Sequence, residues 1–143
     1  ATLPGGLSGL HVVIDPGHGA ATYLSKELFE RLGATVDTIN AAPDGRNINL
    51  HCGSQHLDSL RARVLETSAD LGVAFDGDAD RVILSDENGE MVDGDQILAI
   101  CALDMLREGT LFQKTLVTTP MSNMGLEVAI KEAGGVPLIQ RNG

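Results

Sequence analysis

Aromatic and basic residues are both scarce in this sequence. Phe, Tyr and Trp together make up 3% of the 143 residues and Trp is absent, so a core has to be built from Val, Ile, Leu and Ala. An apolar content of 43% is sufficient for such a core and argues against disorder. The formal net charge of −10 argues against a nucleic-acid partner and against an anionic membrane surface, since both require a basic face.

Cysteine is nearly absent, with only Cys52 and Cys101 in the chain. Two isolated cysteines without a CxxC pair do not make the disulfide framework of a small secreted domain, and we therefore expect a reducing, cytoplasmic location. Cys101 lies in the apolar run ILAICALDML and is predicted to be a small core residue. The sequence contains no apolar run long enough to span a bilayer, so no membrane partner is expected.

Short β-branched runs alternate with stretches of helical periodicity. This alternation predicts an α/β fold in which helices cover both faces of a mixed, mainly parallel sheet, giving three α/β/α layers. An Asn-Gly pair at 88–89 predicts a hairpin that closes the first sheet. We therefore expect one domain over residues 1–92 and part of a second α/β unit over residues 93–143. The predicted strands are residues 10–14, 34–39, 71–75, 81–85, 90–92, 115–119 and 136–140, and the predicted helices are 20–32, 56–67, 95–107 and 124–133.

Residues 74–83, AFDGDADRVI, place Asp76, Asp78 and Asp80 at alternate positions. Like charges this close repel one another even in water, so a cation is expected to offset the cost. Oxygen ligands without nearby His or Cys favour Mg²⁺, Mn²⁺ or Ca²⁺ over zinc. The loop follows a predicted strand, and ligands of open α/β sheets bind beyond the carboxyl ends of strands. Arg81 comes next, and because a guanidinium binds phosphate bidentately, the loop predicts a phosphate-handling metal site.

Several other interpretations of this loop stay open at the level of sequence. A solvated acidic loop, or a non-catalytic cation-binding or interaction module, would use the same residues. An EF-hand-like calcium loop would place Glu87 at its twelfth position, but Arg81 stands where that motif needs glycine. A phosphatase of the haloacid-dehalogenase type would use Asp76 as a covalent phosphoryl acceptor, although its motif usually ends the first strand of a domain rather than the third.

Polar residues flank the helices predicted for the second unit. Ser122 and Asn123 lie between a predicted strand and a helix, where they are predicted as a helix cap first and a substrate-facing pair second. Asp93 and Asp95 are predicted to cap or charge-complement the helix that follows them rather than to bind metal, because acidic side chains stabilise a first helical turn. In the first unit, the sequence Gly-His-Gly at 17–19 is predicted to be a plain strand-to-helix turn.

Longer segments resemble a known superfamily. FDGDADRVILSDENGEMVDGDQI resembles the metal-binding loop of the α-D-phosphohexomutases, and among them the bacterial phosphoglucosamine mutases in particular. GLHVVIDPGHGA is similar to the opening strand and turn of the second domain of that superfamily. TPMSNMGLEVAIKEAG resembles the start of its third domain. The resemblance extends along almost the whole chain.

The resemblance implies a four-domain phosphosugar mutase, of which we expect this chain to be a fragment holding the second domain and part of the third. Asp76, Asp78 and Asp80 would bind Mg²⁺, and Arg81 would be the catalytic residue that contacts the phosphoserine or the substrate phosphate. The implied reaction interconverts glucosamine 6-phosphate and glucosamine 1-phosphate through a phosphoserine and a bisphosphate intermediate. The phosphosugar would be the principal partner of the parent enzyme.

Two further expectations concern the chain by itself. The chain holds no serine in the Ser-His-Asn-Pro setting of the family, so the isolated chain is expected to lack mutase activity. An incomplete second unit would expose apolar surface that its missing strands should cover, and we expect association, for example as a homodimer.

Overall fold

The computed structural model describes residues 5–139. These residues form two compact units, the first ending at Val92 and the second beginning at Asp93. The first unit contains the strands β1 (His11–Asp15), β2 (Thr35–Thr38), β3 (Leu71–Phe75), β4 (Val82–Ser85) and β5 (Met91–Val92), the helices α1 (Ser25–Arg31) and α2 (Asp58–Thr67), and short 3₁₀ turns at Ala20–Tyr23 and Gly53–Gln55.

The five strands of the first unit form one mixed sheet in the order β2-β1-β3-β4-β5. The central strand β1 pairs in parallel with β2 and with β3, whereas β3, β4 and β5 form an antiparallel series. The register sets Asp15, the last residue of β1, opposite Ala74 in β3. The carboxyl ends of β1 and β3 therefore reach the same edge of the sheet, where the acidic loop begins.

Helices cover both faces of this sheet, as the fold prediction requires. Along β1, Val12 and Ile14 pack on the face that is covered by Phe29 of α1. Val13 points to the opposite face, where it packs against Leu60 and Val64 of α2. Since neighbouring strand residues point to opposite faces, a strand apolar at consecutive positions has to be buried on both sides. The predicted three-layer α/β class is confirmed.

The helix predicted over residues 20–32 is interrupted. Its first turn is a 3₁₀ turn at Ala20–Tyr23, and the α-helix begins only at Ser25. Two i→i+3 hydrogen bonds close the turn, from the amides of Thr22 and Leu24. The amide of Ala20, which has no partner within the turn, donates to the carbonyl oxygen of Gly77 at 2.8 Å and so ties this end of the helix to the acidic loop.

The predicted hairpin between β4 and β5 is confirmed, and Asp86 organises its turn. The Oδ1 atom of Asp86 accepts hydrogen bonds from the amides of Glu90 at 2.7 Å and Asn88 at 3.0 Å. Gly89 has φ +74°, a left-handed conformation that glycine adopts without strain. The amide of Glu90 is the main reason why the pKa of Asp86 lies below its ordinary value.

This hairpin predicts a pH-dependent contribution to stability. Because the folded state lowers the pKa of Asp86, its stabilising effect is present above the ordinary aspartate pKa of about 3.9 and is lost as the pH falls through the lower folded-state value. We expect Asp86→Asn to lower the free energy of unfolding at pH 6. Its effect should become progressively smaller as the pH falls below about 4. Urea unfolding from pH 2.5 to 6 measures the difference in free energy of unfolding between the two proteins. A difference that does not change with pH would contradict the prediction.

The second unit contains α3 (Gly94–Glu108), β6 (Thr115–Thr118), α4 (Met124–Glu132) and β7 (Val136–Ile139), with a 3₁₀ turn at Phe112–Lys114. Strands β6 and β7 pair in parallel, and Ala102, Leu126 and Ile130 form the buried core. The longest helix in residues 5–139 is α3, and none of the helices there combines the length and the apolar character that crossing a membrane requires.

The caps of α3 and α4 agree with the sequence prediction. The side chain of Asp93 accepts a hydrogen bond from the amide of Gln96, and the side chain of Gln96 accepts one from the amide of Asp93. This reciprocal pair is a capping box. Asn123 caps α4 by accepting from the amide of Leu126 at 3.0 Å. Asp95 lies in the first turn of α3 and accepts from the amide of Asn123 at 2.8 Å.

The prediction that Cys101 is a core residue is wrong, because its side chain is exposed. The buried stripe of α3 is made by Ala102, with Ala99, Leu103 and Leu106 packed beside it. Cys101 is one position before Ala102, so its side chain is rotated by about 100° around the helix axis from that of Ala102. An apolar run does not by itself define which face of a helix is covered.

Candidate metal centre

The three aspartates of the acidic loop come together at the carboxyl end of β3. Asp76, Asp78 and Asp80 each place one carboxylate oxygen within 4.8 Å of the corresponding oxygens of the other two. Asp76 is 1% exposed, whereas Asp78 and Asp80 face solvent. The residues that the sequence pattern singled out as metal ligands are therefore neighbours in space, with one fixed in the protein and two at its surface.

A tight turn produces this convergence. The amide of Ala79 donates to the carbonyl oxygen of Asp76 at 3.1 Å, and the amide of Asp76 donates to the carbonyl oxygen of Arg81 at 3.3 Å. Ala79 adopts φ +63°, which costs a non-glycine residue roughly 1–2 kcal/mol. The turn brings alternate carboxylates to one side of the loop, and its backbone bonds help to hold that unfavourable conformation.

Arg81 binds the buried member of the triad through both its backbone and its side chain. Its amide donates to Oδ1 of Asp76 at 3.0 Å, and its Nε and Nη2 donate to Oδ2 at 2.9 and 2.8 Å. Nε also lies 3.4 Å from Oδ1 of Asp80. The Arg81 side chain is 64% exposed, so the guanidinium is anchored on Asp76 while much of it faces solvent.

These contacts set the charge of the buried carboxyl. Burial acts to raise the pKa of Asp76, but the hydrogen bonds and the positive charge of Arg81 outweigh it and hold the pKa below its ordinary value. The hydrogen bond and charge of Asp76 in turn raise the pKa of Arg81. Asp76 is therefore ionised at neutral pH, as a metal ligand has to be.

The donor set fits a hard divalent cation. All three groups offer carboxylate oxygens, which suit Mg²⁺, Mn²⁺ and Ca²⁺. Neighbouring oxygens around an octahedral Mg²⁺ are about 3.0 Å apart, since each bond is about 2.1 Å long. The three carboxylate oxygens lie within 4.8 Å of one another, and the exposed side chains of Asp78 and Asp80 can turn inward to close on an ion.

The flanking elements decide against the EF-hand interpretation. The loop lies between β3, which ends at Phe75, and β4, which begins at Val82. An EF-hand requires a helix on each side of its calcium loop. Here both flanking elements are strands, and Glu87 lies in the turn of the β4–β5 hairpin. The EF-hand interpretation is therefore wrong.

Ser122 and Asn123 belong to the second unit and have different settings there. Ser122 lines a cavity of about 560 Å³ whose other lining residues include Asp93, Thr118 and Thr119. Within the described residues the buried hydroxyl of Thr118 has no hydrogen-bond partner. The side chain of Asn123 caps α4. Ser122 is thus exposed to a cavity, whereas the polar oxygen of Asn123 is already used.

Sequence reasoning missed the support beneath the acidic loop. A methyl group added at Gly19 would lie 2.3 Å from the carbonyl oxygen of Gly77, so the turn after β1 and the acidic loop touch backbone to backbone. Gly77 is itself enclosed, since a methyl group there would lie 2.6 Å from a carbon atom of Ile48. The Gly-His-Gly turn therefore has a packing role. Two glycines at the end of a central strand were the only signal of it.

The geometry defines an α/β protein with a strand-end carboxylate cluster suited to a hard divalent cation. Residues 5–89 match the family described as phosphoglucomutase/phosphomannomutase, alpha/beta/alpha domain II, and residues 93–143 match domain III of the same family. The chain belongs to the phosphoglucomutase/phosphomannomutase family.

Curated relatives and solved structures agree with this assignment. The chain is 59% identical over 128 residues to a phosphoglucosamine mutase of Symbiobacterium thermophilum and 57% identical over 129 residues to one of Geobacter sp. strain M21, with 90% of this chain covered in each case. It spans only 29% and 28% of the length of those two proteins.

Among solved structures, a phosphoglucomutase/phosphomannomutase family protein from Burkholderia thailandensis superimposes with a TM-score of 0.82 at 29% identity, over 94% of this chain and 30% of that one. A putative phosphomannomutase from Thermus thermophilus superimposes with a TM-score of 0.72 at 21% identity, over 97% of this chain and 32% of that one. At 21% identity, the likeness to the Thermus thermophilus protein shows a shared fold and no more.

Proposed function

We propose that this chain supplies the divalent-cation site of a phosphoglucosamine mutase that interconverts glucosamine 6-phosphate and glucosamine 1-phosphate. The observation that carries the proposal is the convergent triad of Asp76, Asp78 and Asp80 beside Arg81, in a chain 57–59% identical to phosphoglucosamine mutases. Membership of this family favours a mutase over a haloacid-dehalogenase-type phosphatase, and the two compact units would serve as its second and third domains.

In this proposal the triad holds Mg²⁺. The ion, when bound, neutralises charge on the phosphoryl group that is transferred between a phosphoserine and the sugar. Asp76 provides the fixed ligand, because its carboxylate is buried and anchored by Arg81. Asp78 and Asp80 provide mobile ligands at the surface that can adjust to the octahedral geometry of Mg²⁺.

Arg81 is proposed to contact a phosphate of the phosphoserine or of the substrate. A guanidinium has five N–H donors, and Asp76 engages those on Nε and Nη2. Because the side chain is largely exposed, donors are available to a phosphate oxygen on the solvent side. The ion pair with Asp76 fixes the orientation of the guanidinium and so reduces the entropy lost when phosphate binds.

Ser122 is proposed to face the sugar from the cavity of the second unit, where threonine hydroxyls and the carboxylate of Asp93 also offer hydrogen bonds.

We further propose a cytoplasmic location for the parent enzyme. Cys52 and Cys101 are both free thiols, and Cys52 is buried in the first unit. Free thiols of this kind are maintained in a reducing compartment.

A segment replacement tests the proposed function. The matching segment of the Symbiobacterium thermophilum phosphoglucosamine mutase would be exchanged for this chain, and conversion of glucosamine 6-phosphate would be followed in the presence of Mg²⁺. We expect the hybrid enzyme to be active and Arg81→Lys in the hybrid to lower kcat by about tenfold or more, since lysine cannot bind phosphate bidentately.

Two results would contradict the proposed function. One is a folded hybrid that binds Mg²⁺ but does not convert the phosphosugar. The other is turnover of glucosamine 6-phosphate by the 143-residue chain alone, since the chain holds no serine in the setting that the proposed phosphoryl donor requires. Hydrolysis of p-nitrophenyl phosphate by the chain alone would instead support the phosphatase alternative.

A further inference from the structure

Asp15 is a fully buried carboxylate that the metal site does not use. It lies at the end of β1, opposite Ala74 of β3, and is 0% exposed. No described residue forms a salt bridge with Asp15, and Asp15 is not a member of the acidic triad. Burying a carboxylate costs several kcal/mol unless hydrogen bonds replace its water, so its position requires an explanation.

Three hydrogen bonds satisfy this carboxylate, and each comes from a different segment of the chain. Oδ1 accepts from the amide of Gly17 at 2.8 Å, in the turn that follows β1. Oδ2 accepts from Nδ2 of Asn40 at 2.8 Å, just beyond β2, and from the amide of Gly53 at 3.0 Å, in the turn that precedes α2. We call Asp15 and these three partners the Asp15 clamp.

The Asp15 clamp lies directly against the start of the acidic loop. A methyl group at Gly53 would lie 2.6 Å from the carbonyl oxygen of Phe75, and one at Gly17 would lie 3.3 Å from the same oxygen. Phe75 is the residue before Asp76. Both glycines have positive φ, so the clamp holds two turns whose shape and lack of side chains allow this close approach.

We propose that Asp15 is a positioning residue for the acidic loop. Its carboxylate holds the turns of Gly17 and Gly53 together around the carbonyl oxygen of Phe75, and this fixes the point from which Asp76 projects. Asp15 thereby sets the affinity of the triad for a divalent cation without touching the cation. The cation part of this inference depends on the proposed metal site, whereas the positioning part concerns the loop alone.

The direct test is Asp15→Asn. Asparagine replaces one acceptor oxygen by an NH₂ group, but donors face both sides of the carboxylate, so one side becomes a contact between two donors. We expect the dissociation constant for Mn²⁺, measured by electron paramagnetic resonance on the 143-residue chain, to rise by about fivefold or more. The amide signals of residues 75–78 should shift in the ion-free protein.

A matched control separates positioning from general loss of stability. Val64 of α2 is 0% exposed and packs against Val13 of the sheet. Val64→Ala is expected to lower the melting temperature while changing the Mn²⁺ dissociation constant by less than about twofold. If Asp15→Asn fails to fold, Asn40→Gly removes one donor and keeps the positive φ of that residue. It is expected to raise the constant by about two- to threefold.

The outcomes distinguish this inference from the proposed function. Wild-type Mn²⁺ affinity in folded Asp15→Asn, or an equal loss in Val64→Ala, would overturn the role of Asp15 in cation binding. If the unaltered chain does not bind Mn²⁺, the proposed metal site fails, and the ion-free amide signals then decide the positioning role. Unchanged signals of residues 75–78 in Asp15→Asn would overturn that role, and a shift confined to Asp15→Asn would support it.

Discussion

Asp78→Asn is expected to weaken Mg²⁺ binding by about tenfold or more, which corresponds to about 1.4 kcal/mol or more. The substitution removes one of the three negative charges that face the ion and keeps a side chain of the same size. Asp78 is exposed, and within residues 5–139 its side chain makes no hydrogen bond or ion pair, so the fold should be unaffected. Calorimetric titration with Mg²⁺ measures the change.

Glu87→Gln is the matched control for Asp78→Asn. It removes the same charge from an exposed residue of the same unit, and Glu87 is the position that an EF-hand would have used. We expect its Mg²⁺ affinity to stay within about twofold of that of the unaltered chain, because screening by water and salt weakens distant surface charges. Equal losses in both variants would show that the chain binds Mg²⁺ only through its overall negative charge.

Gly19→Ala is expected to destabilise the first unit by about 3 kcal/mol and to lower its melting temperature by more than about 10 °C. The new methyl group would lie 2.3 Å from the carbonyl oxygen of Gly77. Because the methyl group and the oxygen are both attached directly to the backbone, neither can rotate out of the contact. Gly19 has φ −105°, which any residue adopts, so the effect is one of space alone. Thermal unfolding followed by circular dichroism would measure it.

Gly5→Ala provides the comparison for Gly19→Ala. Gly5 also belongs to the first unit, and a methyl group there would have no atom within 4 Å. Its melting temperature should stay within about 3 °C of that of the unaltered chain, as is usual for surface substitutions. A small effect of Gly19→Ala, similar to that of Gly5→Ala, would mean that the turn after β1 does not support the acidic loop.

Local sequence was sufficient to predict the elements that carry the triad. Strand β3 was predicted over residues 71–75 and is observed at Leu71–Phe75. The aspartates follow it at alternate positions, and a tight turn between two strands leaves little freedom in where their side chains go. The capping residues of α3 were predictable for the same reason, since a cap depends on residues only three positions apart.

The support of the loop was not predictable from local patterns. The contacts of Asp15 with Gly53, and of Gly19 with Gly77, join residues that are far apart in the sequence. They arise because β1 and β3 are neighbours in the sheet and end at one edge. A sequence read along the chain shows an aspartate and two glycines at the end of a strand, and only the strand order shows what they touch.

The continuous helix predicted over residues 20–32 is wrong in its first turn. Helical periodicity is present there, but the amides of Thr22 and Leu24 make i→i+3 hydrogen bonds, which close a 3₁₀ turn before the α-helix begins. Periodicity of apolar residues does not distinguish these two kinds of turn over so short a stretch. The exposed position of Cys101 has a different cause, since the covered face of α3 is set by the partners that pack on it.

Titration of the unaltered chain with Mg²⁺, followed by the backbone amide signals of uniformly ¹⁵N-labelled protein, tests the metal site most directly. Residues 76–81 hold the triad and Arg81, and their signals should move first and saturate at millimolar Mg²⁺, while signals of the second unit stay in place. Unchanged signals of residues 76–81 at millimolar Mg²⁺ would contradict the proposed site.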